Sequence, residues 1–251
     1  MKVLASNDFY EVYNNQEIGF IEIKEKVFDL ITDVQLSDRL LKLINEIDHD
    51  NETKALLFYN HPDSFSDEQY DRFMSRVLDQ GGLEQNGRPH IAERNVRFRE
   101  INILNTLILR ISDVQKIVFS ALQGSVVTSF VGAAMVADFR YAAEGTVLSM
   151  IHNKYGLHPA GGLPYFLSHT VHHSKALELQ LQDKITAEEA LEYGLLNKIF
   201  PKENFKEYLV DEIHKIVNRS FSTIRDTKRL TNFSRSALKS YFDFEAGLLN
   251  L

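Results

Sequence analysis

The order of secondary-structure signals in the first 60 residues constrains the fold most. The segments FYEVYNN and IGFIEIK alternate in polarity on either side of residues 14–16, which is typical of a β-hairpin. The next segment, VQLSDRLLKLINEIDHD, has apolar residues at helical spacing, with Asp33 as a candidate N-cap. The apolar run KALLFYN then predicts a buried strand. Strand, helix and strand in this order predict a parallel crossover and therefore an α/β fold.

Alternating helices and strands are predicted along the rest of the chain. Helices are expected over residues 67–80 and 91–113, with a polar loop, GGLEQNGRPH, between them. The apolar segments KIVFSAL, DFRYAAEGTVLSM and LLNKIF predict further strands. After Pro201 the chain is charged, and helices are expected near residues 202–218, 221–232 and 235–249. We therefore predict a core over residues 1–200 and a C-terminal helical region over residues 201–251.

Composition excludes several classes of site. The sequence has no cysteine, which rules out disulfides, a thiolate nucleophile and cysteine-ligated metal centres. Its net charge of −7 argues against a dedicated nucleic-acid binder, which needs a basic face. No segment approaches the length of a membrane span, and the N-terminal residues lack the apolar stretch of a signal peptide. The expectation is a cytoplasmic protein that binds neither nucleic acid nor membrane.

Glycine is concentrated in the middle third of the chain. Seven of the 12 glycines lie between Gly124 and Gly194. Glycine is used where a backbone turns tightly or approaches a ligand closely, although ordinary turns explain such a cluster equally well. This region is the first place to look for a site.

Residues 115–201 resemble the crotonase superfamily, which is the enoyl-CoA hydratase/isomerase family. The resemblance is carried by KIVFSALQG, GAAMVADFRYAAEGTVLS, KYGLHPAGGLPYFL and SKALELQLQDKITAEEALEYGLLNKIFP, in that order. Residues 1–80 match more loosely. The resemblance implies a crotonase fold of repeated β-β-α units, with C-terminal helices that form a trimer or a dimer of trimers. It also implies an acyl-CoA or carrier-bound acyl thioester as ligand, with coenzyme A as part of the substrate and no separate cofactor.

Members of this family stabilise a thioester enolate with two backbone N–H groups, and both of the matching loops are unusual in this sequence. The first loop aligns with Ser66, Asp67, Glu68 and Gln69, and the resemblance places its donor at Gln69. The second, which normally contains three glycines, aligns with residues 128–130, that is Thr128, Ser129 and Phe130, with Ser129 as donor. Threonine and phenylalanine tolerate positive φ poorly, so a turn that depends on glycine is not expected here.

The two glutamates of a hydratase are absent. The first aligns with Gly132, which can transfer no proton, and the second aligns with His152, which can. His152 is therefore either a general acid/base for a reaction other than hydration or a tolerated polar residue in a site without chemistry. Asp138 matches a position that is usually structural in the family, and we expect it to be buried and hydrogen-bonded.

Other candidates are weaker. Asp67 and Glu68 offer carboxylates near the first loop, although helix capping by Ser66 or Asp67 explains them better. His158 lies where the family places the pocket floor. Lys54, Lys228 and Arg229 are candidate CoA phosphate contacts by position only. His169, His172 and His173 have metal-binding spacing on a predicted helix, but a solvated helix face is the better interpretation.

Two functions remain open at this point. The first is an acyl-thioester enzyme with isomerase, decarboxylase or thioester-hydrolase chemistry, in which His152 and the backbone donors near Gln69 and Ser129 act. The second is a non-catalytic scaffold or acyl-thioester-binding protein. The absence of both glutamates makes hydration the reaction that the sequence disfavours most.

Overall fold

The computed structural model describes residues 1–83 and 89–248. It is an α/β protein with two short 3-10 helices, Ile151–Tyr155 and Phe233–Arg235. The strands are β1 (Lys2–Ser6), β2 (Tyr10–Asn15), β3 (Ile18–Ile23), β4 (Ala55–Asn60), β5 (Leu78–Leu83), β6 (Pro89–Ile91), β7 (Ile117–Leu122), β8 (Ser125–Val127), β9 (Phe139–Ala143), β10 (Val147–Ser149), β11 (Lys184–Thr186) and β12 (Lys198–Phe200). The helices are α1 (Val27–Leu30), α2 (Val34–His49), α3 (Asp67–Val77), α4 (Arg94–Ser112), α5 (Thr128–Met135), α6 (Leu163–Thr170), α7 (His173–Leu181), α8 (Ala187–Glu192), α9 (Phe205–Val217), α10 (Phe221–Asn232) and α11 (Leu238–Gly247).

The predicted N-terminal unit is confirmed. Strands β2 and β3 form the hairpin, and its turn falls at Gln16 and Glu17, whose φ angles are 50° and 65°. Asp33 caps α2 by accepting the backbone N–H groups of Gln35 and Leu36 at 2.8 and 3.1 Å. Strand β4 then pairs in parallel with β3, as the crossover requires.

Two sheets organise the fold. The larger has the order β1-β2-β3-β4-β7-β9-β12 and is parallel from β3 onward, whereas the smaller has the order β11-β10-β8. Along the central strands alternate residues face opposite sides, so Leu56 and Val118 join one apolar cluster while Leu57 and Phe119 join the other. Helix α9 covers the second cluster, and both faces of the large sheet are therefore buried.

Three local predictions are wrong. Residues 78–80 begin strand β5 instead of ending a helix, and β5 pairs with β6 where a loop was expected, although residues 84–88 of that loop lie outside the described residues. Helix α4 consequently starts at Arg94 and not at Ile91. His169 lies in the last turn of α6, whereas His172 is the N-cap of α7 and His173 its first residue, so the three histidines do not share a helix.

The C-terminal helices lie near the predicted positions, and α11 packs against α4 of the core. The division at residue 200 stays a prediction. Within the described ranges, no helix is long and apolar enough to cross a bilayer.

Candidate active site

The N-termini of helices α3 and α5 are held together by hydrogen bonds between their loops. Val127 N–H donates to the carbonyl of Phe65 at 2.9 Å, which joins the residues just before the two helices. The Asp67 carboxylate accepts the hydroxyl of Ser149 at 2.5 Å and also that of Ser125, which ties α3 to β10 and β8. The two loops that the sequence assigned to an oxyanion site therefore adjoin in space.

The first loop contains a capped helix. Ser66 is the N-cap of α3, and its hydroxyl accepts the backbone N–H of Gln69 at 3.4 Å. The capping interpretation is thus confirmed for Ser66, while Asp67 binds hydroxyl groups and Glu68 is exposed and pairs with Arg72. The Gln69 N–H therefore already has an acceptor, although the hydrogen bond is long. Its role as an oxyanion donor stays a prediction.

The second loop forms its turn without glycine. Thr128, Ser129 and Phe130 are the first helical residues of α5, and Val127 before them is extended, with φ −75°. None of these residues has a positive φ, so the expected conflict with β-branched and bulky side chains does not arise. The first N–H groups of a helix have no acceptor inside it, and the helix dipole is positive there. Ser129 N–H therefore has the local geometry of an anion donor.

His152 is buried beside the second loop. Only 4% of the residue is exposed, and Nδ1 lies 2.8 Å from the hydroxyl of Thr128. Burial lowers the pKa of His152 to about 4, although a hydrogen bond with the backbone of Gln180 opposes this shift. The ring is therefore neutral near pH 7, and its general acid/base role stays a prediction.

Backbone atoms lie close to Gly132, the residue that the resemblance aligns with the first glutamate of a hydratase. A Cβ atom at this position would clash with the carbonyl of Gly161 and lie 2.8 Å from the backbone nitrogen of Leu163. Backbone from the 156–162 loop therefore occupies the volume into which a side chain at position 132 would extend. Gly161 also passes close to the carbonyl of Ser129, and its φ of +71° favours glycine.

An apolar cavity adjoins both loops. Phe65 and Phe130 stack with ring centroids 4.2 Å apart and line a cavity of about 90 Å³. The cavity extends between β4, β7, α4 and α5, and its walls are almost entirely hydrocarbon, including Leu104 and Ile108. Such a cavity accommodates an unsubstituted acyl chain better than a polar group.

The remaining predicted site residues lie elsewhere or have protein partners. His158 Nδ1 lies 3.0 Å from the carbonyl of Pro159 in the loop that contacts α5. The buried ammonium of Lys228 pairs with Asp138 at 2.7 Å and donates to the carbonyl of Lys116 at 2.8 Å. Asp138 also accepts Val118 N–H at 2.8 Å, which confirms that it is hydrogen-bonded, although its side chain is only partly buried, with 14% exposed. A phosphate contact by Lys228 stays a prediction.

Sequence reasoning missed Glu245 in α11. Its carboxylate is buried and accepts the Gly162 N–H at 3.3 Å, and burial raises its pKa. In a trans peptide the carbonyl and the N–H point in opposite directions, so Glu245 lies on the far side of the Gly161–Gly162 peptide from Gly132. Glu245 thus binds the peptide that lies against Gly132, and no local sequence pattern indicates such a distant contact.

A buried ion pair in α4 was also missed. Arg97 pairs with Glu100, and their side chains are 4% and 0% exposed. Tyr70, the residue after Gln69, lies close enough to Arg97 to interact with its charge. The helical spacing of Arg97 and Glu100 with buried Leu104 and Ile108 is the signal that could have found them.

The structure gives no support for a metal site. In the part of the chain that the structure describes, no group of histidine, aspartate and glutamate side chains is arranged to hold a metal ion. His169 Nδ1 is instead 2.7 Å from the carbonyl of Tyr165.

The low pKa of His152 predicts a pH-dependent stability. An unfolded chain has a histidine pKa of about 6.5, so protons bind the unfolded state preferentially as pH falls from about 6.5 to about 4. The stability contributed by the neutral ring is complete above this window and is lost within it. We expect the free energy of unfolding to fall by about 2 kcal/mol between pH 7 and pH 5 from this group. Urea denaturation at both pH values measures the change, and His152→Gln should lack this component; equal pH dependence in both proteins contradicts the prediction.

The fold is similar to that of several solved structures. The chain is similar in structure to an enoyl-CoA hydratase from Bacillus halodurans, with a TM-score of 0.77, 21% identity and coverage of 96% of this chain and 93% of that one. An enoyl-CoA hydratase from Mycobacterium avium subsp. paratuberculosis K-10 has a TM-score of 0.75 at 18% identity, with coverage of 98% and 95%. An enoyl-CoA hydratase/isomerase from Cupriavidus metallidurans CH34 has a TM-score of 0.73 at 20% identity, with coverage of 97% and 89%.

At these identities the structural neighbours establish the crotonase fold and no more. A search of curated proteins found no match. The sequence model of the enoyl-CoA hydratase/isomerase family matches residues 70–250, which is most of the chain. The match includes the N-terminus of α5 and begins just after the first loop, Ser66 to Gln69. This chain belongs to the enoyl-CoA hydratase/isomerase family.

Proposed function

We propose that this protein binds an acyl thioester and polarises its carbonyl at the joined N-termini of α3 and α5, without hydrating an enoyl-CoA. The acyl chain would occupy the apolar cavity next to Phe65 and Phe130. The observation that carries the proposal is that this cavity adjoins both helix N-termini, where backbone N–H groups and helix dipoles favour negative charge.

Hydration is disfavoured by the occupied volume at Gly132. Adding water to an enoyl thioester requires groups that activate the water and protonate the product. One such position is filled by the backbone of Gly161, and the other holds a neutral, buried histidine. The reactions that remain are isomerisation, decarboxylation and thioester hydrolysis, in which His152 is the proposed acid/base and Gln69 and Ser129 are the proposed donors.

A second candidate function is binding without chemistry. It is favoured by the partners of His152, because Thr128 and the backbone of Gln180 both bind the ring and its pKa is about 4. A base this weak is poorly matched to proton abstraction near pH 7. On this alternative the protein is a crotonase-like scaffold or an acyl-thioester-binding protein.

Titration with CoA, acetyl-CoA and crotonyl-CoA tests the proposal. We expect crotonyl-CoA to raise the melting temperature saturably, because a ligand at 100 times its Kd stabilises the folded state by about 2.7 kcal/mol. A crotonyl-CoA hydration assay on the same protein should show no turnover above the buffer rate. The proposal is contradicted if no ligand, including a carrier-linked acyl group, shifts the melting temperature. Hydration of crotonyl-CoA at an ordinary enzymatic rate would contradict the claim that the protein is not a hydratase.

His152→Ala separates the two candidates. If an acyl thioester is turned over, the enzymatic reading expects this variant to lose most of the turnover while still binding the ligand. Binding without turnover in the parent protein supports the non-catalytic reading. Full turnover in the variant excludes His152 as the acid/base.

We propose in addition that the protein assembles as a homotrimer or a dimer of trimers. Large apolar side chains are exposed on the C-terminal helices and the turn between them, where Leu230, Phe233 and Phe244 are 79%, 80% and 66% exposed. Such exposure is typical of a surface covered by a protein partner. Sedimentation velocity measures the assembly directly.

A further inference from the structure

A second groove lies at the opposite end of α5 from the candidate active site. It has a volume of about 480 Å³ and is bordered by the C-terminal end of α5, by β9 and α6, and by α9 and α10. Helix α5 spans eight residues, so about 12 Å separates its two ends. None of the residues of the two oxyanion loops lines this groove.

The charge of the groove is strongly positive. Four cationic side chains line it, together with one carboxylate, that of Asp138; the cations are Arg140, Arg219, Lys228 and Arg235. Lys228 already pairs with Asp138 at 2.7 Å. Neither Arg140 nor Arg235 forms an ion pair with any residue in the ranges 1–83 and 89–248. The local excess of positive charge contrasts with a net charge of −7 for the chain.

Helix capping accounts for part of this arrangement. Arg140 donates to the carbonyls of Ala137 and Leu195 at 2.9 and 2.6 Å, and Arg235 donates to that of Val136 at 2.6 Å. Cations at the C-terminal end of a helix are stabilised by its dipole. A guanidinium has five N–H donors, however, so these three hydrogen bonds leave donors on both side chains for a ligand in the groove.

The two guanidiniums also repel each other. Burial, followed by the charge of Arg235, lowers the pKa of Arg140 to about 10, and burial lowers that of Arg235. An anion between them would relieve this repulsion and replace the lost hydration.

Hydroxyl groups complete the groove. Thr223, Thr227 and Thr231 recur every four residues along α10, so they share one face of the helix, and all three line the groove. The Thr231 hydroxyl already donates to the carbonyl of Thr227 at 2.9 Å, and that of Thr223 lies 2.6 Å from the Ser220 hydroxyl, so Thr227 is the hydroxyl donor that this face offers to a ligand. Paired guanidiniums with a neighbouring hydroxyl donor match the several oxygens of a phosphate dianion better than a single carboxylate.

We propose that this groove binds the phosphate group of a small molecule, with the guanidiniums of Arg140 and Arg235 on the phosphate oxygens. The groove shares no lining residue with the apolar acyl cavity or with the two oxyanion loops, and the proposal does not depend on the function proposed above. A small ligand fits better than a nucleic acid, because the acidic chain would repel a polyanion beyond the groove.

Calorimetric titration with inorganic phosphate and pyrophosphate, at constant ionic strength, tests the proposal. We expect saturable binding that Arg235→Gln weakens by about ten-fold or more, since a charge-assisted hydrogen bond contributes about 1.5–3 kcal/mol. Arg225→Gln is the matched control on α10, because Arg225 pairs with Asp226 and does not line the groove. Thr227→Val keeps every charge and cap and should weaken binding about three-fold, which keeps the test valid if Arg235→Gln fails to fold.

Several results would overturn the proposal. The proposal is wrong if the wild-type protein binds neither phosphate nor pyrophosphate saturably. It is also wrong if Arg225→Gln and Arg235→Gln weaken anion binding equally. Acetate that binds as tightly as phosphate argues against the phosphate class. If saturation with CoA abolishes pyrophosphate binding, the anion binds at the thioester site. If the wild-type protein binds no anion and Arg235→Gln loses self-association, the groove is an interface with a second copy of the chain. Pyrophosphate binding that persists with CoA present supports a separate site even if no acyl thioester is turned over.

Discussion

Replacing Glu100 with glutamine is expected to lower the free energy of unfolding by about 3–5 kcal/mol. The side chains of Arg97 and Glu100 are 4% and 0% exposed, so the substitution leaves an arginine charge buried without its counter-ion. Arg97 beside it is held in the charged form, and the Arg97 pKa is raised by the Glu100 carboxylate against the effect of burial. Urea denaturation at neutral pH measures the loss.

A double variant tests whether the charge is the cause. Arg97→Met combined with Glu100→Met removes both charges and retains apolar volume on the buried face of α4. Replacing a whole buried pair is often neutral or stabilising, so we expect the double variant to be more stable than Glu100→Gln. A double variant as unstable as the two single variants combined would show that packing and not charge dominates at this position.

The ion pair also connects α4 to the candidate site. Arg97 interacts electrostatically with Tyr70, and Tyr70 packs edge-on against Phe28 and Tyr155 at centroid distances of 5.6 and 5.7 Å. Tyr70 follows Gln69 directly in α3, and Tyr155 ends the 3-10 helix that contains His152. We therefore expect loss of the ion pair to disturb the positions of Gln69, a proposed oxyanion donor, and of His152, the proposed acid/base, through the contact between Tyr70 and Tyr155.

Local sequence patterns predicted the parts of the fold that local chemistry determines. Asp33 caps α2 because a short polar side chain accepts the first free N–H groups of a helix, and that rule needs only adjacent residues. Strand β5 was missed because Gly81 and Gly82 suggest a loop, whereas pairing with β6 supplies the hydrogen bonds that hold this segment extended.

The sequence indicated which residues of the candidate site are unusual for the family, but not how those residues pack. The resemblance to the family aligns Gly132 and His152 with the two glutamates of a hydratase, and this correspondence stays a prediction. It could not show that the Gly161 carbonyl fills the space at Gly132, or that Glu245 of α11 holds this peptide from the other side, because both contacts join residues distant in sequence. Nor could spacing reveal that burial leaves His152 neutral, since desolvation depends on the packed structure.

Gly132→Ala is expected to lower the free energy of unfolding by about 2–3 kcal/mol, although alanine is the better helix former. The added Cβ would meet the Gly161 carbonyl and lie 2.8 Å from the Leu163 nitrogen, and both are backbone atoms that cannot rotate away. Gly247→Ala in α11 is the matched control, because a Cβ there meets nothing within 4 Å and should leave stability unchanged or raise it by about 1 kcal/mol. Equal effects of the two substitutions in urea denaturation would contradict the close approach at Gly132.

The same geometry predicts that placing glutamate at positions 132 and 152 does not give the protein hydratase activity. In the double variant Gly132→Glu with His152→Glu, the first carboxylate can enter only if the Gly161–Gly162 peptide leaves α5, and that movement breaks the 3.3 Å hydrogen bond to Glu245. The buried carboxylate of Glu245 and the Gly162 N–H would then both lose a partner, at a cost of about 1–3 kcal/mol in addition to the clash. We expect a strongly destabilised protein with no crotonyl-CoA hydration above the buffer rate. Hydration by this variant would instead show that only the two side chains separate the present site from a hydratase.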